Sequence, residues 1–139
     1  MAMTMHLDIV SAEHELFSGL AEVVVAPAVR GEVGIYPRHT QMISPLKPGE
    51  VRVIKQGGEE ESIYVSGGIL EVQPGTVTIL SDTAVRAHDL DEAAAMEAKK
   101  RAEQALEDKN SDISEADALA AIAQAAAQIE LINKIKNKK

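Results

Sequence analysis

The chain has 139 residues, 26% of them charged, and a formal net charge of −8, a length that fits one domain or one domain plus an appendage. The acidic balance argues against nucleic acid as a partner, because phosphate binding needs clustered Lys and Arg. There is no cysteine, which excludes disulfides and thiolate chemistry, and one Phe, two Tyr and no Trp leave an aliphatic core to be built from Val, Ile, Leu and Ala. The opening MAMTMHLDIV has neither the basic flank nor the apolar stretch of a signal peptide. No run approaches the length of a membrane span, so a soluble, cytosolic chain is expected, one that can still sit on a membrane complex.

In chain order, HLDIV (6–10) and AEVVVA (21–26) read as strands, and the Gly31/Gly34 and Pro45/Pro48-Gly49 clusters as the loops between strands. VRVIKQ (51–56) and EESIYVSG (60–67) alternate apolar and polar residues and are joined across Gly57-Gly58, a hairpin turn. ILEVQPGTVTIL (69–80) repeats the pattern. Val72, Val77 and Ile79 take one face, Glu71, Gln73, Thr76 and Thr78 the other, and Pro74-Gly75 makes the turn. Many short strands with close turn signals predict an antiparallel β-sandwich or barrel over residues 1–88.

From Asp89 the period changes. DLDEAAAMEAKKRAEQALED (89–108) has no Gly, Pro or β-branched residue and predicts a helix, with Asp89 as N-cap and Glu92 three residues on. A polar loop spans 106–114. A second helix starts from Ser114 as N-cap with Asp117 at its third position and Ile113 as a weak staple. Leu119, Ile122, Ala126 and Ile129 form its predicted apolar stripe. Seven of the ten residues from Ala118 to Ala127 are alanine, which favours helix strongly and buries little. The whole predicts an α+β chain, a β-sandwich or barrel (1–88) followed by an antiparallel two-helix hairpin (89–139).

No catalytic constellation is present, so no catalytic residue and no metal site are assigned. His6, His14, His39 and His88 lack metal-ligand spacing. His39 is set apart only by its Pro-flanked loop, YPRHT. Gly67-Gly68 leads into a strand without the Lys and Ser/Thr of a phosphate loop, and reads as a bulge or tight bend.

Five stretches stand in order: HLDIVSAEHELFSG (6–19), GEVGIYPRH (31–39), LKPG (46–49), IYVSGGILEVQPGTVTIL (63–80) and DTAVRAHDLDEA (82–93). Together they resemble the epsilon subunit of bacterial F-type ATP synthases. The resemblance implies a sandwich that binds the gamma subunit and the ring of c subunits, within the rotating central stalk that couples ion-driven rotation to ATP synthesis. It implies a peripheral position at the cytoplasmic face of the bacterial inner membrane. It assigns ring-facing loops around Arg30–Val33 and Arg38–Met42, with Gly31, Glu32, His39 and Met42 as contacts. It also implies that the helical pair can open and extend its last helix into the alpha and beta subunits of the catalytic head, inhibiting ATP hydrolysis. On that reading Ile129, Lys134, Lys136, Lys138 and Lys139 meet the head, the lysines facing an acidic loop of the beta subunit. The bland alternative for the lysines is the favourable placement of cations at a helix C-terminus. Two other readings are a stalk subunit with a purely structural helical pair, and an unrelated β-sandwich binding module with a helical tail.

One departure bears on cofactors. Family members that bind ATP carry [IL]-D-x-x-R-A at the start of the first helix, helped by arginines on the second. Here the matching residues run Leu90-Asp91-Glu92-Ala93-Ala94-Ala95, so Asp91 is kept, Ala94 replaces the arginine, and the second helix has no arginine. Arginine is the fork-shaped phosphate donor, so no cofactor is expected and ATP binding should be weak or absent.

Overall fold

The computed structural model describes residues 3–108 and 113–137. The chain divides into two compact units, Met1–Arg86 and Ala87–Lys139.

The first unit holds nine strands: β1 (Met5–Ser11), β2 (Glu15–Ala28), β3 (Gly31–Ile35), β4 (Met42–Leu46), β5 (Gly49–Lys55), β6 (Glu60–Val65), β7 (Gly68–Gln73), β8 (Thr76–Ser81) and β9 (Ala84–Arg86). Their order is β1-β8-β7-β4-β2-β5-β6-β9. A β1–β2 pairing returns the path on itself, and β3 lies beside β2. The 14-residue β2 makes this possible. Its first half pairs with β1 and its second with β3 and β5, and the register slips between Ala21 and Val23 where it turns from one to the other. All pairings are antiparallel except β1 with β8, which is parallel. Alternation decides the inside: Leu7 and Ile9, Val51 and Val53, Leu70 and Val72, and Val77 and Ile79 all point into one aliphatic core. The expected faces of residues 69–80 are the ones observed.

Two segments expected as loops are strands. Gly31 and Gly34 lie in β3, which pairs only with β2, so a residue without a side chain weakens an edge rather than the interior. Pro45 lies in β4, which pairs along its length with β7 but meets β2 at a single residue, Leu46 opposite Ala28. The missing N–H therefore faces an edge where no ladder is needed. The bend read at Gly67-Gly68 is present. Both residues have left-handed φ, +116° and +125°, and a Cβ at Gly68 would overlap the Leu80 carbonyl oxygen.

A charged clamp closes the far edge of the first unit. Glu61 on β6 takes Lys55 Nζ from β5 at 3.0 Å and Arg86 Nε from β9 at 2.9 Å, while Arg86 Nη2 donates to the Leu16 carbonyl at 2.6 Å. Burial pushes the Glu61 carboxyl up, but the Lys55 and Arg86 hydrogen bonds and charges outweigh it and hold it below the usual glutamate value. The three-residue β9 is thus tied down at its last residue.

In the second unit a short 3-10 turn (Ala87–Asp89) leads to α1 (Glu92–Glu107), and α2 spans Glu115–Asn137. The cap of α1 is Asp91, not the expected Asp89. The Ala94 N–H donates to Asp91 Oδ1 at 3.2 Å, while Asp89 belongs to the turn. The cap of α2 is Ser114 as expected, its Oγ accepting from the Asp117 N–H at 3.1 Å. Ile113 is half exposed. The stripe of α2 is rotated from the expected one. Ala118, Ala125 and Ile132 are buried with Ile122 and Ile129 partly so, whereas Leu119 is half exposed. The spacing 118-122-125-129-132 is the heptad seam of packed helices. α1, which packs on α2, buries only Ala95 and Ala102.

Candidate interaction surfaces

Three surfaces carry the candidate contact residues and the exposed side chains around them. The first lies at the two ends of β3. Glu32 is its second residue, exposed, and held at 3.4 Å by Arg52 Nη2 from β5. Gly31 takes the positive φ of +133° that closes the β2–β3 hairpin. His39 and Met42 belong to the other end, in and after the loop that follows Ile35. At about 3.3 Å per residue, β3 separates the two loops by roughly 13 Å along the strand, so they form two patches rather than one. In the second loop the His39 N–H donates to the Tyr36 carbonyl at 3.1 Å, closing a Tyr36-Pro37-Arg38-His39 turn with Arg38 at φ +72°. That is a type II turn with proline at its second position and an arginine where glycine is usual. The His39 ring is oriented by Nδ1, which donates to the Thr40 carbonyl at 2.7 Å. Met42 is half-buried and packed against the core, and His39 is half-buried as well.

The second surface is the outer face of β4, β7, β8 and β1. The registers Pro45–Ile69, Ile69–Leu80 and Leu80–Val10 line four apolar side chains into one row across the strands. With strands about 4.8 Å apart the row is roughly 15 Å long. Ile43, on the same face of β4 two residues from Pro45, is 72% exposed, and Ile69 and Leu80 are each 47% exposed. A polar row lies alongside. Asp8 accepts from Ser18 Oγ at 2.8 Å and pairs with His6 at 3.0 Å. The Ser18 hydrogen bond, joined by His6 and against some burial, holds Asp8 below the usual aspartate value. Sequence reading missed this surface. Its signal was available, since Ile69 and Leu80 fall in the polar phase of strands whose other outward residues are Glu71, Gln73, Thr76 and Thr78.

The third surface is the hairpin of α1 and α2. Ile129 and Lys134 line a groove with Lys99, Ala126, Glu130, Asn133 and Asn137, an open cleft of about 490 Å³. Lys136, in the last turn of α2, pairs with Glu92 in the first turn of α1. Arg101 pairs with Glu97 one turn back at 3.2 Å, the solvated i,i+4 pair its spacing predicts. Lys138 and Lys139 lie outside the described residues.

Among the described residues no cluster of His, Asp and Glu is arranged to hold a metal, and no helix is long and apolar enough to cross a membrane.

Comparison with known proteins bears on what these surfaces are for. Residues 4–87 match the family model for the β-sandwich domain of the ATP synthase delta/epsilon chain, and residues 88–133 the model for its long alpha-helix domain. An ATP synthase epsilon chain of Thioalkalivibrio sulfidiphilus is 60% identical over 137 residues, 98% of this chain and 97% of that one. The chain belongs to the epsilon subunits of bacterial F-type ATP synthases. The epsilon chain of Nitrosococcus oceani is 58% identical over 99% of both chains, and epsilon chain 1 of Methylococcus capsulatus 63% identical over 95% and 94%. Among solved structures, a chain of the mitochondrial ATP synthase of Euglena gracilis (OSCP/F1/c-ring, rotational state 1) superposes with a TM-score of 0.70 at 21% identity, covering 97% of this chain and 81% of that one. A chain from the central stalk and c-ring of the Tetrahymena thermophila enzyme gives 0.57 at 17% identity, covering 96% of each. At such identities the two establish the fold.

Read from the sequence, the start of α1 is the segment that resembles an ATP-binding motif with an arginine at position 94. Here the Asp91 carboxylate is engaged as the N-cap of α1, and the residue in the arginine position, Ala94, supplies only the N–H it caps.

Proposed function

We propose that this epsilon subunit is a non-catalytic rotor component of the central stalk. On this reading it binds gamma and the c-ring through its sandwich and restrains ATP hydrolysis through its helical pair, at the cytoplasmic face of the bacterial inner membrane. The observation that carries the docking role is the apolar row of Val10, Pro45, Ile69 and Leu80 with Ile43 beside it. A contiguous apolar strip held on a rigid sheet beside hydrogen-bonded polar groups is a protein-binding surface in character. Gamma is the partner assigned to it, because a rotor subunit needs one firm attachment. The smaller patches at Gly31–Glu32 and at His39–Met42 are left to the ring. Placing a carboxylate at the centre of the row tests this assignment. Ile69→Asp should leave the isolated fold intact, as Ile69 points outward, and should abolish co-purification with gamma. Undiminished co-purification would move the gamma surface elsewhere.

ATP is not a ligand of this chain on the same reading. Phosphate recognition at the start of α1 would need a donor fork, and the side chains there are Ala93, Ala94 and Ala95. Isothermal titration of the isolated chain with ATP should show no saturable heat at micromolar concentrations. The helix position is then set by contacts within the chain and with its partners, and the brake rests on Ile129 and the lysines of the α2 tip meeting the head.

A further inference from the structure

The hairpin carries its own electrostatic catch. Glu92 opens α1, and its carboxylate is bonded to the ammonium of Lys136, in the last turn of α2. The two helices run antiparallel, so this contact sits at the open mouth of the hairpin, where separation of the helices has to begin. It agrees with the packing register. Moving three residues up α1 from Glu92 and four down α2 from Lys136 pairs the buried Ala95 with the buried Ile132. A further seven on each brings Ala102 level with Ala125, also buried. Lys99, between the two alanines, shares a groove with Ile129 and Glu130, as the same register requires. The neighbouring carboxylate, Asp91, is engaged in capping, so Glu92 is the acid left to meet Lys136.

We infer that Glu92 is the internal counter-ion of Lys136 and competes for it with the acidic surface of the catalytic head, so that the pair acts as a latch on the closed hairpin. The inference rests on the brake reading above and adds its regulation. A lysine bonded to Glu92 is unavailable to an outside carboxylate. A partner that captures it therefore favours the open hairpin, and closure weakens the partner's hold by the same factor. The seam behind the latch is made largely of alanine, so a modest contact has leverage. An exposed ion pair of this kind moves an equilibrium by about two- to five-fold.

The test uses the full-length chain in the assembled head with gamma. The chain has no cysteine of its own, so probes can be attached at Ala98→Cys on α1 and Ala123→Cys on α2, both exposed. Their separation and ATP hydrolysis are read together. Glu92→Gln is expected to raise the open fraction about two- to five-fold and to deepen inhibition, since Lys136 is freed for the head. In the assembled head Lys136→Gln should open the hairpin less than Glu92→Gln, because it removes the head's contact together with the latch. In the isolated full-length chain the two variants should open it equally, which guards against an effect of Glu92 on α1 itself. In that isolated chain, where no head carboxylate acts on position 136, the exchanged pair Glu92→Lys with Lys136→Glu should restore closure that either reversal alone abolishes. An unchanged probe separation in Glu92→Gln in the head, or in both single variants of the isolated chain, overturns the latch, as does an exchanged pair that stays open in the isolated chain. A hairpin that opens while hydrolysis stays the same supports the latch and refutes the brake instead.

Discussion

ATP hydrolysis by the assembled catalytic head is expected to rise several-fold when the full-length chain is replaced by one ending at Asp112, a residue outside the described ones. The shortened chain keeps the sandwich and α1 and loses α2. The reason lies in the seam. Burying an alanine methyl stabilises by about 0.8 kcal/mol, whereas a leucine contributes about 1.5–3 kcal/mol. Ala95, Ala102, Ala118 and Ala125, all buried, therefore contribute roughly 3 kcal/mol where four leucines would contribute two to four times as much. Only Leu131 and Ile132 add large buried side chains on α2. A closed state held so lightly lies within reach of an open one, which is what a ligand-biased switch requires. α2 does not melt when released, because alanine has the highest helix propensity. Its 23 residues span about 34 Å at 1.5 Å each, a rod long enough to reach from a stalk into a neighbouring subunit. Unchanged hydrolysis, with the shortened chain still bound, would make the helical pair a passive appendage.

Gly68→Ala is expected to be the most damaging single substitution in the sandwich. The backbone there has φ +125°, where an L side chain costs about 1–3 kcal/mol. The added methyl would also overlap the Leu80 carbonyl and come within 2.9 Å of Ser81 Cα, a backbone that cannot rotate away. Overpacking of that kind costs a further 1–3 kcal/mol. Together they predict a loss of about 4 kcal/mol and a fall in Tm of roughly 15–30 °C for a unit of this size. The damage spreads because Gly68 starts β7, and the β7–β8 ladder carries Leu70, Val72, Val77 and Ile79 into the core. Gly75→Ala is the control. It sits in the β7–β8 turn at φ +75° with open space around a Cβ, and should cost only about 1 kcal/mol. Thermal unfolding of both variants decides the matter. Equal losses would show that φ alone, and not the clash with β8, is what Gly68 relieves.

Much of the architecture was legible because it depends on local pattern. Alternation in 69–80 assigned faces that the buried Val72, Val77 and Ile79 bear out, and the alternating run 51–56 buries Val51 and Val53. In 60–67 the alternation fails, because Ile63, Tyr64 and Val65 are buried in succession. Ser114 and Asp117 announced the second helix start. The misreadings have a common cause. Gly34 and Pro45 are loop formers by propensity, yet both belong to strands, because what matters is whether an edge needs their missing group. Asp89 and Asp91 are equally good caps in isolation, and the 3-10 turn over Ala87–Asp89 decides between them. The stripe of α2 was misplaced because a run of alanines shows almost no hydrophobic contrast from one face to the next.

The sequence by itself determined an aliphatic β unit followed by two alanine-rich helices, a chain without cysteine, and a run of three alanines, Ala93 to Ala95, at the start of α1. These follow from residue types and their periods, which act over a few neighbours. Only the tertiary structure decided which outward residues stand together. It took the register of four strands to bring Val10, Pro45, Ile69 and Leu80 into one row, and the antiparallel return of α2 to set Lys136 against Glu92. It also showed that Glu32 and His39, seven positions apart in the chain, lie at opposite ends of β3. Such juxtapositions are products of pairing over long sequence separations, and no local period encodes them.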